Sequence, residues 1–214
     1  MNSGLSKHPA VPADPDPAFR LTYLSMGIEA GWPFGHGKGH STYQVLTSLF
    51  LRRGNRTRYP LSTVAELNGG VADRPLAYPG CRLSRFNWVT GLHLLGVLGL
   101  AGTIRLACRQ AAYRDLRGTE KEELYISSLG VVPDLQGQGI GTMLMERAEE
   151  LARKAGLQKC SFPVTFDHKP ARRLYEHLAY KVIRSYSCNH PRVVEGSGGF
   201  HRMLKTLAPL PESG

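Results

Sequence analysis

Three glycines at alternate positions, Gly137, Gly139 and Gly141, follow an apolar run that ends in Pro133. The run LYISSLGVV has the composition of a β-strand, and a well-patterned amphipathic helix follows the glycines. A strand, a glycine-rich turn and a helix N-terminus form an anion site, because the first N–H groups of a helix lack partners and its dipole favours negative charge. The absence of Cβ atoms lets phosphate oxygens approach the backbone. The segment QGQGIGT therefore predicts a phosphate-binding turn.

The spacing of these glycines excludes two common phosphate motifs. The dinucleotide fingerprint GxGxxG needs its third glycine three residues after the second, whereas the spacing here is GxGxG. The phosphate-binding loop GxxxxGK[ST] needs a lysine after its last glycine, and Thr142 follows Gly141. A helix entry that merely tolerates glycine fits poorly, because each glycine weakens the helix.

A third pattern, Q/R-x-x-G-x-G/A, is satisfied by residues 136–141. With it, the segment from Glu123 to Lys205 resembles the GNAT superfamily of acetyl-coenzyme A-dependent N-acetyltransferases. The stretch SLGVVPDLQGQGIGTMLMERA resembles the pyrophosphate motif of that family, and ARRLYEHLAYKV resembles its A-x-x-L-Y-x-x-x-G-F segment, with Ala179-Tyr180 where Gly-Phe is usual. VAELNGGVADRPLAYPG resembles the hairpin that precedes the motif. The resemblance covers about residues 18–207.

The resemblance implies an α/β (α+β) fold with a mixed central sheet of about seven strands flanked by helices. It also implies a bulged fourth strand and a V-shaped split between strands four and five. A single domain is expected over 18–207, because a chain of 214 residues with 42% hydrophobic residues can bury one substantial core. Residues 1–17 are expected to form a disordered tail and residues 208–214 a C-terminal tail.

The function implied by the resemblance is direct transfer of an acetyl group from acetyl-CoA to a primary amine of a small molecule or peptide, within a ternary complex. Acetyl-CoA is the cosubstrate, the amine-bearing acceptor is the partner, and no metal is required. The alternative is a catalytically weak or inactive acyl-CoA-binding module that acts as a sensor or regulator. The identity of the acceptor is not encoded in a recognisable pattern.

The resemblance also implies which residues hold the coenzyme. Backbone N–H groups of residues 137–142 would bind the pyrophosphate, and the bulge near Gly130 would let pantetheine pair with exposed strand backbone. The Val131 N–H would polarise the thioester carbonyl. The full set implied is Leu129, Gly130, Val131, Gln136, Gly137, Gln138, Gly139, Ile140, Gly141, Thr142, His168 and Ala171.

Two residues are candidates for catalysis. Tyr175 matches a tyrosine that the family places near the sulfur, where its hydroxyl protonates the departing thiolate; a core tyrosine is the alternative. Glu123, which alternates with Tyr125 and Ser127 on one face of its strand, is the candidate base acting through water. An ordinary solvated charge at a strand start is the alternative for Glu123.

The composition of the chain limits which classes of binding partner are expected. The net charge of +10 favours anionic partners, but the basic residues occur as scattered pairs such as Arg52-Arg53, which does not favour nucleic acid. His36 and His40 lack the further ligands that a zinc site needs. The four cysteines form no CxxC pair and no export signal is evident, so a cytoplasmic setting is expected. A homodimer is compatible with this sequence.

The apolar stretch Val89–Ile104 is too short to span a membrane and is broken by glycines, so a buried or partly buried helix without membrane contact is expected. The remaining pattern predicts a strand over 18–26, a helix over 41–53, a hairpin of 62–67 with 71–80, and a helix over about 87–115. Strands are then predicted over 122–132, 159–165, 179–187 and 199–206, and helices over 138–155 and 169–177. In the helix over 138–155, Leu151 and Ala155 are assigned to the buried face and Glu149 to the solvent face.

Overall fold

The computed structural model describes residues 5–9, 44–45, 47–49, 51–52, 54, 63–67, 70–73, 76–111, 119–129, 131, 136–187 and 198–208. The strands are β1 (Leu5–Pro9), β2 (Thr63–Leu67), β3 (Gly70–Asp73), β4 (Leu76–Pro79), β5 (Glu123–Ser128), β6 (Lys159–Thr165), β7 (Lys181–Ser187) and β8 (Gly199–Thr206). The helices are α1 (Leu83–Ala111), α2 (Ile140–Lys154) and α3 (Lys169–His177). A 3₁₀ turn, Gly80–Arg82, leads into α1, and further helical residues lie at 44–45, 47–49 and 51.

The described strands form two sheets. One has the order β1-β2-β3 and the other has the order β4-β5-β6-β8-β7. In the larger sheet only β5 and β6 are parallel, and α2 connects them, as a parallel pair requires. The chain therefore adopts the expected α/β arrangement of a mixed sheet with helices, although five strands rather than about seven make up the main sheet.

The second half of the chain follows the sequence pattern closely. The strands over 159–165 and 199–206 and the helix over 169–177 are confirmed to the residue, and the other elements from β5 onward begin or end within a few residues of their predicted bounds. The predicted hairpin partner over 71–80 divides into β3, which pairs with β2, and β4, which pairs with β5 in the main sheet. The predicted strand over 18–26 lies outside the described residues.

The N-terminal segment differs from the expectation of a disordered tail. Residues Leu5–Pro9 form β1 and pair antiparallel with β2 over the whole of both strands, from Leu5 opposite Leu67 to Pro9 opposite Thr63. Strand pairing is made by the backbone, so a segment without an apolar run can still join a sheet edge.

The two faces of the main sheet bury different helices. On one face, α2 and α3 cover a core that includes Ile126, Met145, Phe162, Tyr175 and Met203. On the other face, Leu83 and Phe86 of α1 pack against Tyr78 of β4 and Tyr125 of β5, with the Tyr78 and Phe86 rings edge to face at 6.0 Å. A sheet covered on both sides keeps the central strands β5 and β6 away from water.

The buried face of α2 is rotated from its predicted position. Leu151 and Ala155 are exposed, whereas Met145 and Ala152 are buried, so the assignment of the first two to the core was wrong. Glu149, expected to face water, is also buried. Its carboxylate accepts hydrogen bonds from the Tyr180 hydroxyl at 3.1 Å and from Lys205 Nζ at 2.7 Å, and these donors compensate for the loss of water. The tertiary partners therefore decided which side of α2 faces inward.

The long apolar helix α1 is less buried than expected. It is interrupted at Gly99, whose φ of 66° and ψ of 178° are not helical, so it consists of two segments, 83–98 and 100–111. Only 11% of its most apolar stretch is buried, and Trp88, Leu92 and Leu100 are among the large apolar side chains exposed on it. Among the described residues, this is the one helix long and apolar enough to cross a membrane by length and composition.

The turn between α3 and β7 contains a strained residue. Among the described residues, Ala179 is the one non-glycine residue with a positive φ, at 67°. This left-handed conformation costs about 1–2 kcal/mol for a residue with a Cβ atom. The position is the one where the family motif has glycine, so the departure from the motif has an energetic cost.

We expect Ala179→Gly to raise the free energy of unfolding by about 1 kcal/mol and the Tm by about 2–4 °C, because glycine adopts the left-handed conformation without strain. Differential scanning calorimetry would measure the change. The matched control is Ala107→Gly, at an exposed position inside α1, which should lower the free energy of unfolding by about 1 kcal/mol. Equal destabilisation by both substitutions would contradict the assignment of strain to Ala179.

Candidate functional site

Strands β5 and β6 separate after a short common stretch. Their pairing runs from Glu123 opposite Lys159 to Tyr125 opposite Ser161. Beyond this point β5 continues beside β4 as far as Ser128, and β6 continues beside β8 as far as Thr165. The two strands thus diverge within the sheet, and among the described strands none pairs with the facing edges of β5 and β6 beyond this point.

Pro163 lies on β6 within the diverging part. Proline cannot donate to a ladder and is normally found at sheet edges or bulges, so it is unusual in a central strand. Here it pairs in register with Arg202 of β8, and β5 has already left its other side. The split accommodates this proline, which makes Pro163 a sequence signal for the gap that the motif analysis did not use.

The glycine turn stands at the N-terminus of α2, where the chain returns from the end of β5. Gly137 and Gly139 have φ values of 76° and 79°, and a Cβ atom added at either position would meet nothing within 4 Å. These two glycines are required by the left-handed backbone, and the space beside them is open. Gly139 is the N-cap of α2, and no side chain caps the first turn.

Gly141 has a different role from the other two glycines. A Cβ atom at this position would lie 3.1 Å from Cδ2 of Leu174, so its absence allows α2 to pack closely on α3. The prediction that all three glycines admit phosphate oxygens is therefore corrected for Gly141, which serves helix packing. Its backbone N–H still belongs to the first turn of α2.

The other implied coenzyme contacts divide into backbone and side-chain positions. Ile140 is buried with Leu144, and the half-buried Leu129 and Val131 pack against this pair. The Gln136 side chain donates to the Val131 carbonyl at 3.1 Å and thereby joins the glycine turn to the end of β5. Gln138 and Thr142 lie in the turn and the first helical turn, and Gly130 lies outside the described residues.

Tyr175 lies at the level where the strands part. Its ring contacts Phe162 of β6, with centroids 4.2 Å apart, and Phe162 follows the last β6 residue that pairs with β5. Tyr175 is largely buried within the core beneath α2 and α3. Tyr175 therefore lies at the opening of the split, and the preceding residue, Leu174, lies beside Gly141 at the start of α2.

His168 is the N-cap of α3. Its Nδ1 accepts a long hydrogen bond, 3.4 Å, from the backbone N–H of Ala171. In the neutral ring this arrangement places the proton on Nε2, which remains a donor on an exposed side chain. Both residues implied as coenzyme contacts in α3 are therefore engaged in forming its first turn.

Glu123 is fully buried and ion-paired. Arg202 Nη2 donates to both carboxylate oxygens, at 2.9 and 2.6 Å, and the Glu120 backbone N–H donates at 3.2 Å. Burial raises the pKa of Glu123, and the hydrogen bonds from Glu120 and Arg202 oppose that rise. Glu123 lies at the closed end of the split, where β5 and β6 are still paired. Neither a solvated charge nor a base facing the gap describes this residue.

Arg202 is a structural residue that the motif analysis missed. It lies on β8, two strands from β5, so its side chain reaches Glu123 across β6. The signal in the sequence was an arginine that alternates with the apolar Phe200 and Leu204 in the strand GFHRMLKT, which suggests an inward-facing charge with a buried partner. Nothing in the sequence indicated that the partner is Glu123, 79 positions away.

Cys160 is a poor candidate for covalent catalysis. Cys160 is buried, and burial raises the pKa of its thiol to about 12, so it is protonated at neutral pH. Within the described ranges, no group of three or more His, Cys, Asp or Glu side chains is placed to hold a metal ion. His36 and His40 lie outside those ranges.

Comparison with known sequences gives two matches. The sequence model of the acetyltransferase (GNAT) family matches residues 72–180. A segment of 61 residues is 36% identical to mycothiol acetyltransferase from Beutenbergia cavernae. That segment is 28% of this chain and spans only 20% of the relative.

Solved structures share the overall architecture. One described as an acetyltransferase superposes with a TM-score of 0.68 at 21% identity, covering 95% of this chain and all of the other. The ribosomal-protein-S18-alanine N-acetyltransferase from Escherichia coli superposes with a TM-score of 0.57 at 15% identity, covering 98% of this chain and 97% of that one. Likeness at such identities shows the fold, and it confirms the expected fold class.

We expect Glu123→Gln to lower the free energy of unfolding by about 3–5 kcal/mol, because the substitution leaves Arg202 buried without its counter-charge. Urea denaturation would measure the loss. The double variant Glu123→Leu with Arg202→Leu should lose less than either single change, since neither charge is then left alone.

The control for this prediction is Glu120→Gln, the same substitution at an exposed position paired with Lys159. It should change the free energy of unfolding by less than about 1 kcal/mol. Additive losses in the double variant would show that Glu123 and Arg202 act independently and would contradict a stabilising ion pair between them.

Proposed function

Because this chain belongs to the acetyltransferase (GNAT) family, we propose that it transfers the acetyl group of acetyl-CoA directly to a primary amine of a small molecule or peptide. The observation that carries the proposal is the placement of an uncapped helix N-terminus, with left-handed Gly137 and Gly139, next to the gap between β5 and β6. Acetyl-CoA contains a diphosphate joined to an extended pantetheine arm. Binding it would need an anion site beside a groove, and the helix N-terminus and the gap would provide these two surfaces.

The glycine turn would hold the pyrophosphate of the coenzyme. The N–H groups of the first turn of α2 have no intrahelical acceptor, and the helix dipole adds a favourable potential for anions. Open space beside Gly137 and Gly139 lets phosphate oxygens reach these groups. The net charge of +10 adds a general attraction for a polyanionic ligand.

The gap between the strands would hold the pantetheine arm. Amide groups of that arm can pair with the backbone edge that β5 exposes after Tyr125, in the way that a peptide adds to a sheet edge. The Gln136 contact to Val131 fixes the end of β5 against the turn, so the two binding surfaces keep a defined separation. Leu129 and Val131 contribute their backbone groups to this edge.

The chemistry that acetyl-CoA would supply is acyl transfer: the neutral amine of the acceptor would bond to the carbonyl carbon and release one proton to solvent, the C–S bond would break, and the departing thiolate would take up one proton. The Val131 N–H would stabilise the negative charge that develops on the carbonyl oxygen. Tyr175, which contacts Phe162 at the opening of the split, would supply the proton to the sulfur.

We assign Glu123 to the structural brace with Arg202 rather than to proton removal from the acceptor. A base must reach the acceptor nitrogen directly or through one water. Glu123 lies at the closed end of the split and already accepts three hydrogen bonds. With this assignment, we expect substitution of Glu123 to change the free energy of unfolding more than the pH dependence of the rate.

The acceptor class proposed here is a primary amine, without a narrower choice. The names of the compared proteins imply different acceptors, since one is a mycothiol acetyltransferase and another is a ribosomal-protein-S18-alanine N-acetyltransferase. The first match covers a short segment and the second has low sequence identity, so we do not assign the acceptor of either protein to this chain. The direct test is thiol release from acetyl-CoA with a panel of amines, peptide N-termini and amino acids.

We expect Gly139→Ala to weaken acetyl-CoA binding by about five- to tenfold, because a Cβ atom in the left-handed conformation costs about 1–2 kcal/mol and displaces the first N–H groups of α2. Isothermal titration calorimetry would measure the affinity. The matched control is Gly156→Ala at the other end of α2, where φ is 70° and the surrounding space is also open. It should destabilise the protein similarly and leave the affinity unchanged.

Absence of any binding heat with the unsubstituted protein would overturn the proposed function. Equal weakening by Gly139→Ala and Gly156→Ala would show that the turn affects binding only through stability.

We expect Tyr175→Phe to lower kcat by about tenfold to a hundredfold while changing the affinity for acetyl-CoA less than twofold, because it removes a proton donor and keeps the ring that packs on Phe162. Thiol release under saturating acetyl-CoA would measure kcat. An unchanged kcat would remove Tyr175 from the chemistry. Tight binding without thiol release from any acceptor would favour the alternative function of an acyl-CoA sensor.

A further inference from the structure

Helix α1 is apolar on two opposite faces. On its inner face, Leu83 and Phe86 pack on the main sheet, and Leu94 and Leu106 pack with Val45 and Leu49. Trp88, Leu92 and Leu95 recur at the spacing of one helix face, roughly opposite the inner set. All three are exposed, with Trp88 at 76% and Leu92 at 60%.

The second segment of α1 repeats this arrangement. Leu106 is buried, whereas Leu100 and Ile104, which lie about half a turn away from it, are exposed, Leu100 at 68%. We name the exposed set of Trp88, Leu92, Leu95, Leu100 and Ile104 the outer face. Large apolar side chains grouped in this way on both helical segments indicate a binding surface, because isolated monomers rarely keep such patches in water.

The charges around the outer face have one sign. Arg82 and Arg85 are exposed at the start of the helix, and Arg105 is exposed in its second segment. The sequence of α1 contains no Asp or Glu. Within the described helix the charged side chains beside the apolar ones are therefore all cationic, which favours an occupant that is both apolar and anionic.

We propose that the outer face of α1 binds the surface of a bilayer that contains anionic phospholipid. Leucine, isoleucine and tryptophan side chains enter the boundary between headgroups and acyl chains, and the flanking arginines contact lipid phosphates. Tryptophan is suited to this boundary because its ring is apolar and its N–H is polar. The helix would lie parallel to the membrane, with its inner face still packed on the sheet.

Two other arrangements of α1 fit the observations less well. A membrane-spanning helix needs about 20 apolar residues, and the break at Gly99 leaves two shorter segments whose inner face is already engaged with protein. A second copy of this chain, paired through the same face, would bring the arginines of two α1 helices together without an acidic residue on either helix. Lipid phosphate supplies the charge that these arrangements lack.

This proposal departs from the expectation that the chain makes no membrane contact. That expectation rested on the argument that residues 89–104 are too short to span a bilayer. The kink at Gly99 agrees with that argument, because it divides the helix into two shorter segments. Association with a membrane surface does not need a span, only an exposed apolar face and a favourable charge. The proposal is independent of the proposed acetyl transfer.

Flotation of the full chain with lipid vesicles tests the proposal. We expect binding to phosphatidylcholine vesicles that contain about 30% phosphatidylglycerol, and weakening of this binding by salt and by removal of the anionic lipid. The double variant Trp88→Ser with Leu92→Ser should lower the partition coefficient by about tenfold or more. Its control, Leu151→Ser with Ile183→Ser, removes exposed apolar side chains from α2 and β7 and should bind as the parent does.

A charge reversal provides a second, independent variant. Arg85→Glu should lower binding to the anionic vesicles by about fivefold or more, whereas Lys181→Glu, at an exposed position on β7, should have a smaller effect. Because all four sets of changed side chains are exposed, folding should be retained, and thermal unfolding would verify it.

Three outcomes would overturn the proposal. The first is no flotation with anionic vesicles, and the second is equal flotation with neutral and anionic vesicles. The third is a concentration-dependent dimer in sedimentation velocity that is lost in the Trp88→Ser, Leu92→Ser variant, which would identify a second copy as the occupant.

Discussion

The buried ion pair between Glu123 and Arg202 links two parts of a sheet whose central strands, β5 and β6, pair over only three residues. Strands β5 and β6 share pairing only from Glu123 to Tyr125, so the ladder between the two halves of the main sheet is short. The ion pair spans β6 and ties β5 to β8 at the closed end of the split. Both charges are buried and Glu123 accepts three hydrogen bonds, so breaking the pair would leave an uncompensated buried charge, whereas an exposed pair would add little. The open end is then free to accept a ligand.

The three glycines of the turn show that one sequence pattern can satisfy separate physical requirements. Gly137 and Gly139 allow left-handed backbone that redirects the chain from β5 into α2. Gly141 permits close contact between α2 and Leu174 of α3. Since α3 also carries Tyr175, this packing sets the distance between the N-terminal end of α2 and the tyrosine. Ala179 contrasts with these positions, because its left-handed backbone is occupied by a residue with a Cβ atom.

Helix α1 is the part of the structure least explained by the acetyltransferase fold. Its inner face completes the cover of the sheet over Tyr78 and Tyr125, and its outer face remains apolar and bordered by arginines. A single helix that is apolar all round normally lies inside a large protein or a membrane. An interfacial position would bury the outer face while leaving the split between β5 and β6 within the same protein domain accessible from water.

The sequence by itself determined the elements from β5 to β8 and the glycine turn before α2, because alternation, helical periodicity and glycine placement are local properties of the chain. It also identified the family through the residues around Gly139 and Tyr175. Only the tertiary structure decided that Glu123 is bound by Arg202, that Glu149 is buried, that residues 76–79 leave the predicted hairpin to pair with β5, and that α1 keeps an exposed apolar face. These outcomes depend on contacts between residues far apart in sequence, whose partners no local pattern specifies.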